Sequence, residues 1–248
     1  MNRLQLNEEH ALCKAPQIHG NRSIISFPQK TVMAGGLFFL FIWLEYGIGI
    51  LNIADLLQKL GITIPTDAAN LFSYFLMLVS AVVIFRKELF QELRQPTALW
   101  KSLAWSFPIF FIGCMATNML GNFLPSFLVM NSNQEPAGSA PILFQILIGC
   151  ILAPAAEELY FRFFLYNHLR KKSVFLAIAV SSVLFAFWHT AAAILAGNMT
   201  QLIMTLPYLP AGIALALIYE KTGSIKYPIL IHSINNAYST MLLLLALG

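Results

Sequence analysis

Two adjacent carboxylates, Glu157 and Glu158, and the guanidinium of Arg162 interrupt an otherwise apolar stretch running from Ala153 to Arg162. An ionisable side chain at membrane depth is costly, and it usually faces a protein interior or a watery cavity, so each of the three needs a partner or a task. Glu158 and Arg162 are four residues apart, hence on one helical face, and can neutralise one another. Glu157 lies about 100° round the helix from Glu158 and finds no evident partner on its own helix. Two further apolar stretches carry pairs at the same spacing, Phe185 with His189 and His232 with Asn236. A glutamate and a histidine from neighbouring helices can hold and deprotonate a water. A histidine and an asparagine amide are donors suited to an oxyanion on an attacked carbonyl. Together these are the parts of an acyl hydrolase that uses water directly. No serine or cysteine stands in an obvious relation to a base, which disfavours a covalent nucleophile.

The elements that must carry these groups follow from composition. The 248 residues are 58% hydrophobic and only 10% charged, with a mean hydropathy of +0.71, too little polar surface to coat a soluble globule. The apolar runs are helix-length and lack period-two alternation, so an all-α polytopic bundle is expected rather than a barrel. Residues 1–30 read as a polar cytoplasmic tail without the apolar core of a signal sequence. Seven runs long enough to span follow: about Thr31–Ile53, Ala68–Phe85, Ser102–Leu124, Ile142–Tyr166, Ser173–Leu195, Gln201–Tyr219 and Pro228 onward. An amphipathic stretch after Phe85, up to Lys101, is expected at the interface. Residues 31–141 then hold three spans and their loops, and residues 142–248 form a four-span core.

Loop charge tests that count. With the N-terminus inside, 13 of the 15 lysines and arginines fall on the cytoplasmic side, Lys59 falls outside, and Arg162 lies within a span. This distribution by topology also excludes the basic patch of a nucleic-acid binder. Cys13, Cys114 and Cys150 show no paired or ligand-like spacing. Asn118 and Asn122 are expected to hydrogen-bond between helices. Glu45, in the first span, has no visible partner.

Glu157-Glu158-x-x-x-Arg162, Phe185-x-x-x-His189 and His232-x-x-x-Asn236, in that order and on three separate spans, resemble the three-motif pattern of the CPBP intramembrane proteases. That group contains the type II CAAX prenyl endopeptidases and the bacterial bacteriocin-processing or immunity-associated Abi homologues. The likeness covers about Ile142 to Met241, and the first three spans resemble nothing that can be named. It implies that Glu157 and His189 activate water, that His232 and Asn236 form the oxyanion site, and that Glu158, Arg162 and Phe185 are motif residues with a structural role. It further implies cleavage of a hydrophobic or lipidated peptide near the cytoplasmic side of a bacterial membrane. Family members are often called metalloproteases, and Glu157, His189 and His232 could serve as three zinc ligands. The chain lacks an HExxH helix, so a metal-free glutamate mechanism is favoured. The competing reading is a non-catalytic protein of the same fold, an immunity factor or scaffold. On straight spans the residues would lie at unequal depths, with Glu157 about 16 Å, His189 about 24 Å and His232 about 6 Å from the inner ends.

Overall fold

The computed structural model describes residues 66–123, 142–195 and 197–247, together with Met33, Gly35, Gly36 and residues 59–62. The expected polar tail, most of the first span with Glu45, and the loop from Pro125 to Pro141 lie outside the described residues. Those described form an all-helical structure.

Helix α1 (Thr66–Arg94) buries Met77, Ala81, Ile84, Phe85 and Leu89 at helical spacing and exposes Phe72, Phe75, Val83 and Phe90 on the opposite side. The helix is thus apolar on its outer face as well as its buried one. The stretch expected at the interface continues α1 to Arg94. Within it Glu92 Oε2 accepts from Tyr219 Oη at 3.0 Å and Oε1 from the Ile225 amide at 2.7 Å, so this carboxylate ties the end of α1 to the protein. Pro96 follows, where a helix cannot easily continue.

Helix α2 (Leu99–Phe123) is inside out by the standards of a soluble protein: it buries Ser102, Ser106 and Gly113 while exposing Trp105, Phe111, Ile112 and Met115. Small residues inside and bulky apolar ones outside suit a helix whose neighbours are close and whose solvent is lipid. It is long and apolar enough to cross a membrane by itself. Asn118 and Asn122, expected between helices, are both exposed.

The next element, α3, is one helical rod over residues 142–170, built from Ile142–Ile146, a π-helical stretch Leu147–Leu152, an α turn Ala153–Glu158, a second π stretch Leu159–Tyr166, and Asn167–Arg170. Pro154 contributes to the first irregularity, since it has no N–H to continue the α ladder. After a short turn the Ser173 hydroxyl accepts the Leu176 amide at 3.4 Å and caps α4 (Val174–Trp188).

The fifth run, expected as a single helix to Leu195, breaks at His189 and resumes as the short α5 (Ala191–Leu195). The sixth is also broken: a 3₁₀ helix, Met199–Thr205, meets α6 (Tyr208–Thr222) at 42°, the bend of a broken span or a re-entrant loop. Pro207 and Pro210 sit at that junction, where missing amides weaken a regular ladder. Gly223, at φ 71°, donates its amide to Tyr219 O and ends α6. Helix α7 (Lys226–Leu247) follows.

Helix α6 packs against α2, α4 and α7, while α1 and α7 both lie against α3. At the end expected to be cytoplasmic, Glu220 receives two bonds from Arg170, at 2.7 and 2.8 Å, and one from Tyr166 Oη at 2.7 Å. The hydrogen bond to Glu220 holds the Arg170 guanidinium above its ordinary pKa. This fork ties α3 to α6.

Candidate active site

The α turn between the two π stretches carries both glutamates. Glu158 is fully buried, and its Oε1 accepts from Arg162 Nη1 at 3.0 Å, so the expected four-apart pair is present. Arg162 is held further from α6 and α4. Its Nη2 donates to the Gly212 carbonyl at 2.9 Å, and its guanidinium carbon lies 4.3 Å from the centre of the Phe185 ring. Gly212 is where this closeness becomes obligatory, because a Cβ there would meet backbone Ser182 O at 3.0 Å and Cα at 3.1 Å. Gly212→Val is therefore expected to destabilise the protein by about 1–3 kcal/mol, read as a lower melting temperature in detergent.

Glu158 has a second partner that spacing along the chain does not reveal. His232, on α7, places Nδ1 3.0 Å from the same Oε1. A carboxylate only accepts, so Nδ1 carries the proton and Nε2 is turned the other way. There it faces Glu157: Nε2 and Oε2 are 3.9 Å apart, with both side chains nearly fully buried. Glu157 Oε1 accepts from Tyr74 Oη at 3.3 Å, whereas Oε2 is buried without a hydrogen-bond partner. A separation of 3.9 Å is too long for a direct bond and is within the span that one bridging water covers.

His189 caps the end of α4. Its Nδ1 is 2.9 Å from the Phe185 carbonyl, to which it can only donate. The imidazole stacks on Tyr208 at 4.4 Å and 24°, and lies 4.7 Å from the Phe185 ring. That ring also meets His232 edge-on at 5.6 Å and Phe161 at 5.6 Å. Phe185 is thus the common floor under His189, His232 and Arg162, a fuller part than a motif spacer.

Asn236, one turn beyond His232 on α7, donates its Nδ2 to the Gly149 carbonyl at 2.8 Å, and its Oδ1 accepts from Asn235 at 3.4 Å. The first π stretch, where the ladder is irregular, is thereby fastened to α7. An amide carries two N–H groups, and Gly149 takes one of them.

Two tetrahedral ligands on one zinc stand about 3.4 Å apart and at least three protein ligands are usual. Glu157 Oε2 and His232 Nε2 offer a pair at 3.9 Å. Among the described residues no three His, Cys, Asp or Glu side chains converge on one ion position. As arranged, the donor set does not fit zinc, and no step below is routed through a metal.

Sequence reasoning missed Tyr74, Tyr208 and Gly212. Gly212 had a signal, a small residue inside a span. The two tyrosines had none, since each lies far along the chain from the group that it touches.

A family model described as Type II CAAX prenyl endopeptidase Rce1-like matches residues 139–238. That range contains every motif residue from Glu157 to Asn236 and leaves out α1 and α2. The chain is 25% identical over 179 residues to YdiL of Bacillus subtilis (strain 168), named as a candidate membrane peptidase, with 68% of each protein covered. It is 31% identical over 145 residues to the UPF0177 protein YxdF of Lactococcus lactis subsp. lactis (strain IL1403), covering 56% of this chain and 75% of that one. No solved structure gives a significant match. With the ordered motifs and these relatives in agreement, the chain belongs to the CPBP family of membrane peptidases.

Proposed function

We propose that this protein is a multi-pass intramembrane endopeptidase that hydrolyses a peptide bond of a prenylated or otherwise hydrophobic substrate with water activated by Glu157. The observation that carries the reading is the buried Glu157 Oε2, without a hydrogen-bond partner and 3.9 Å from an imidazole nitrogen whose opposite nitrogen is already held by Glu158.

Charge balance suggests how the proton moves. Glu157, Glu158 and Arg162 sum to one negative charge in a buried cluster, and low polarity favours neutrality. In the proposed working form His232 Nε2–H is a donor for the developing oxyanion and Glu157 is the base. The carboxylate then takes a proton from water as the water oxygen attacks the carbonyl carbon. Passing that proton to the amine leaving group completes hydrolysis. In this proposal His189 steadies the water and the second N–H of Asn236 assists the oxyanion.

In this reading the chain crosses a bacterial cytoplasmic membrane about seven times, with its N-terminus inside, and residues 142–248 are the catalytic core. The inside-out face of α2 favours lipid as the surrounding medium. The test is cleavage of internally quenched CAAX-type peptides, farnesylated and plain, by protein reconstituted in liposomes. Cleavage of the farnesylated peptide is expected; absence of cleavage with both sinks the substrate class. Thorough chelation is expected to leave the rate within about twofold, whereas a resident catalytic metal would make it collapse.

A further inference from the structure

The face of α1 that packs on α3 carries two hydroxyl contacts of different kinds. Ser80 Oγ and Tyr160 Oη share a hydrogen bond of 2.8 Å, joining the helices at a point where no motif residue is involved. Tyr74, six residues earlier, donates instead to Glu157 Oε1 at 3.3 Å. The first contact fastens a helix; the second fastens the carboxylate proposed as the base. Helix α1 lies wholly outside the residues that match the family model.

Resting on the reading of Glu157 given above, we propose that Tyr74 is a positioning residue for this carboxylate, and that α1 is thereby part of the working site. A glutamate has three side-chain torsions, so burial alone does not fix where its two oxygens point. With Oε1 held by the phenol, Oε2 is directed to His232 Nε2. A competitor stands five residues along the same rod. Arg162 keeps a buried Nε without a hydrogen-bond partner and feels the charge of Glu157. A carboxylate released by Tyr74 gains by turning toward that guanidinium, because charge-assisted bonds are the stronger ones. Such a turn would remove the base from the water position while leaving the fold intact. The phenol therefore keeps a reactive group from being neutralised by its own neighbour.

The test is Tyr74→Phe in the full-length protein, which keeps the ring and removes only the donor. With the farnesylated quenched peptide in liposomes, kcat is expected to fall about tenfold or more with KM within about twofold, the pattern of a misplaced catalytic group. Ser80→Ala, which cuts the neighbouring helix contact, is expected to leave both constants at wild-type values. Equal kinetic losses in the two variants, or wild-type kcat in Tyr74→Phe, overturn the proposal. A measurement independent of substrate runs alongside: melting temperatures of wild type, Tyr74→Phe, Glu157→Ala and the double variant. The effect of Tyr74→Phe is expected to vanish in the Glu157→Ala background. An equal effect in both backgrounds overturns the proposal. If the wild type cleaves neither peptide, the substrate class fails while this cycle still decides Tyr74.

Discussion

Glu157→Gln is expected to lower proteolysis by about 10²–10⁴-fold, the range for loss of a positioned general base, with little change in the folded structure. Glutamine keeps the volume of glutamate and a carbonyl oxygen that can still accept from Tyr74. What it loses is the capacity of Oε2 to take a proton. Because that oxygen is buried without a hydrogen-bond partner, removing its charge relieves a desolvation cost, and the melting temperature in detergent is expected to stay the same or rise. Inactivation without destabilisation separates a base from a packing residue. If cleavage by Glu157→Gln matches the wild type, water activation by this carboxylate is wrong.

The second large effect concerns stability. Arg162→Met leaves Glu158, fully buried, with an imidazole as its remaining partner, and is expected to cost about 3–5 kcal/mol, as when one member of a buried pair is removed. Guanidinium contacts to Gly212 and Phe185 go with it. Replacing both members, Glu158→Leu with Arg162→Met, is expected to recover most of the lost melting temperature, since apolar residues of similar volume often substitute well for a buried pair. Activity is expected to stay lost in the double variant. His232 would have no acceptor for Nδ1–H, so neither its tautomer nor its aim at Glu157 would be fixed. Recovery of activity along with stability would show that Glu158 serves only to neutralise Arg162.

The contrast between those two carboxylates marks what could be read from the chain. The Glu158–Arg162 pair was legible because both residues share one helix, where spacing fixes the face. Ser173 likewise marked the start of α4, and the third apolar run coincides with α2 to within a few residues at its start. The bond from His232 to Glu158 spans 74 residues and depends on how α7 is rotated, which no local pattern encodes. The unequal depths of Glu157, His189 and His232 came from treating each span as a straight α-helix. The chain departs from that geometry where it matters, stopping α4 at His189 and changing the ladder twice in α3. The spacing put Asn236 on the same face as His232, but its bond to the irregular backbone at Gly149, 87 residues away, had no signal in the sequence.

The rod α3 addresses a different neighbour at nearly every step. Gly149 meets α7, Glu157 meets α1 and α7, Tyr160 meets α1, and Arg162 and Tyr166 meet α6. An ordinary α-helix advances its side chains by a constant angle of about 100°; two π stretches shift that phase, as a gearbox shifts the timing of one shaft. Every residue from Ala156 to Phe163 is buried, so this portion has no outer side at all. It is an axle within the bundle. The acidic pair it carries is enclosed by other helices on every side, whatever medium surrounds the bundle.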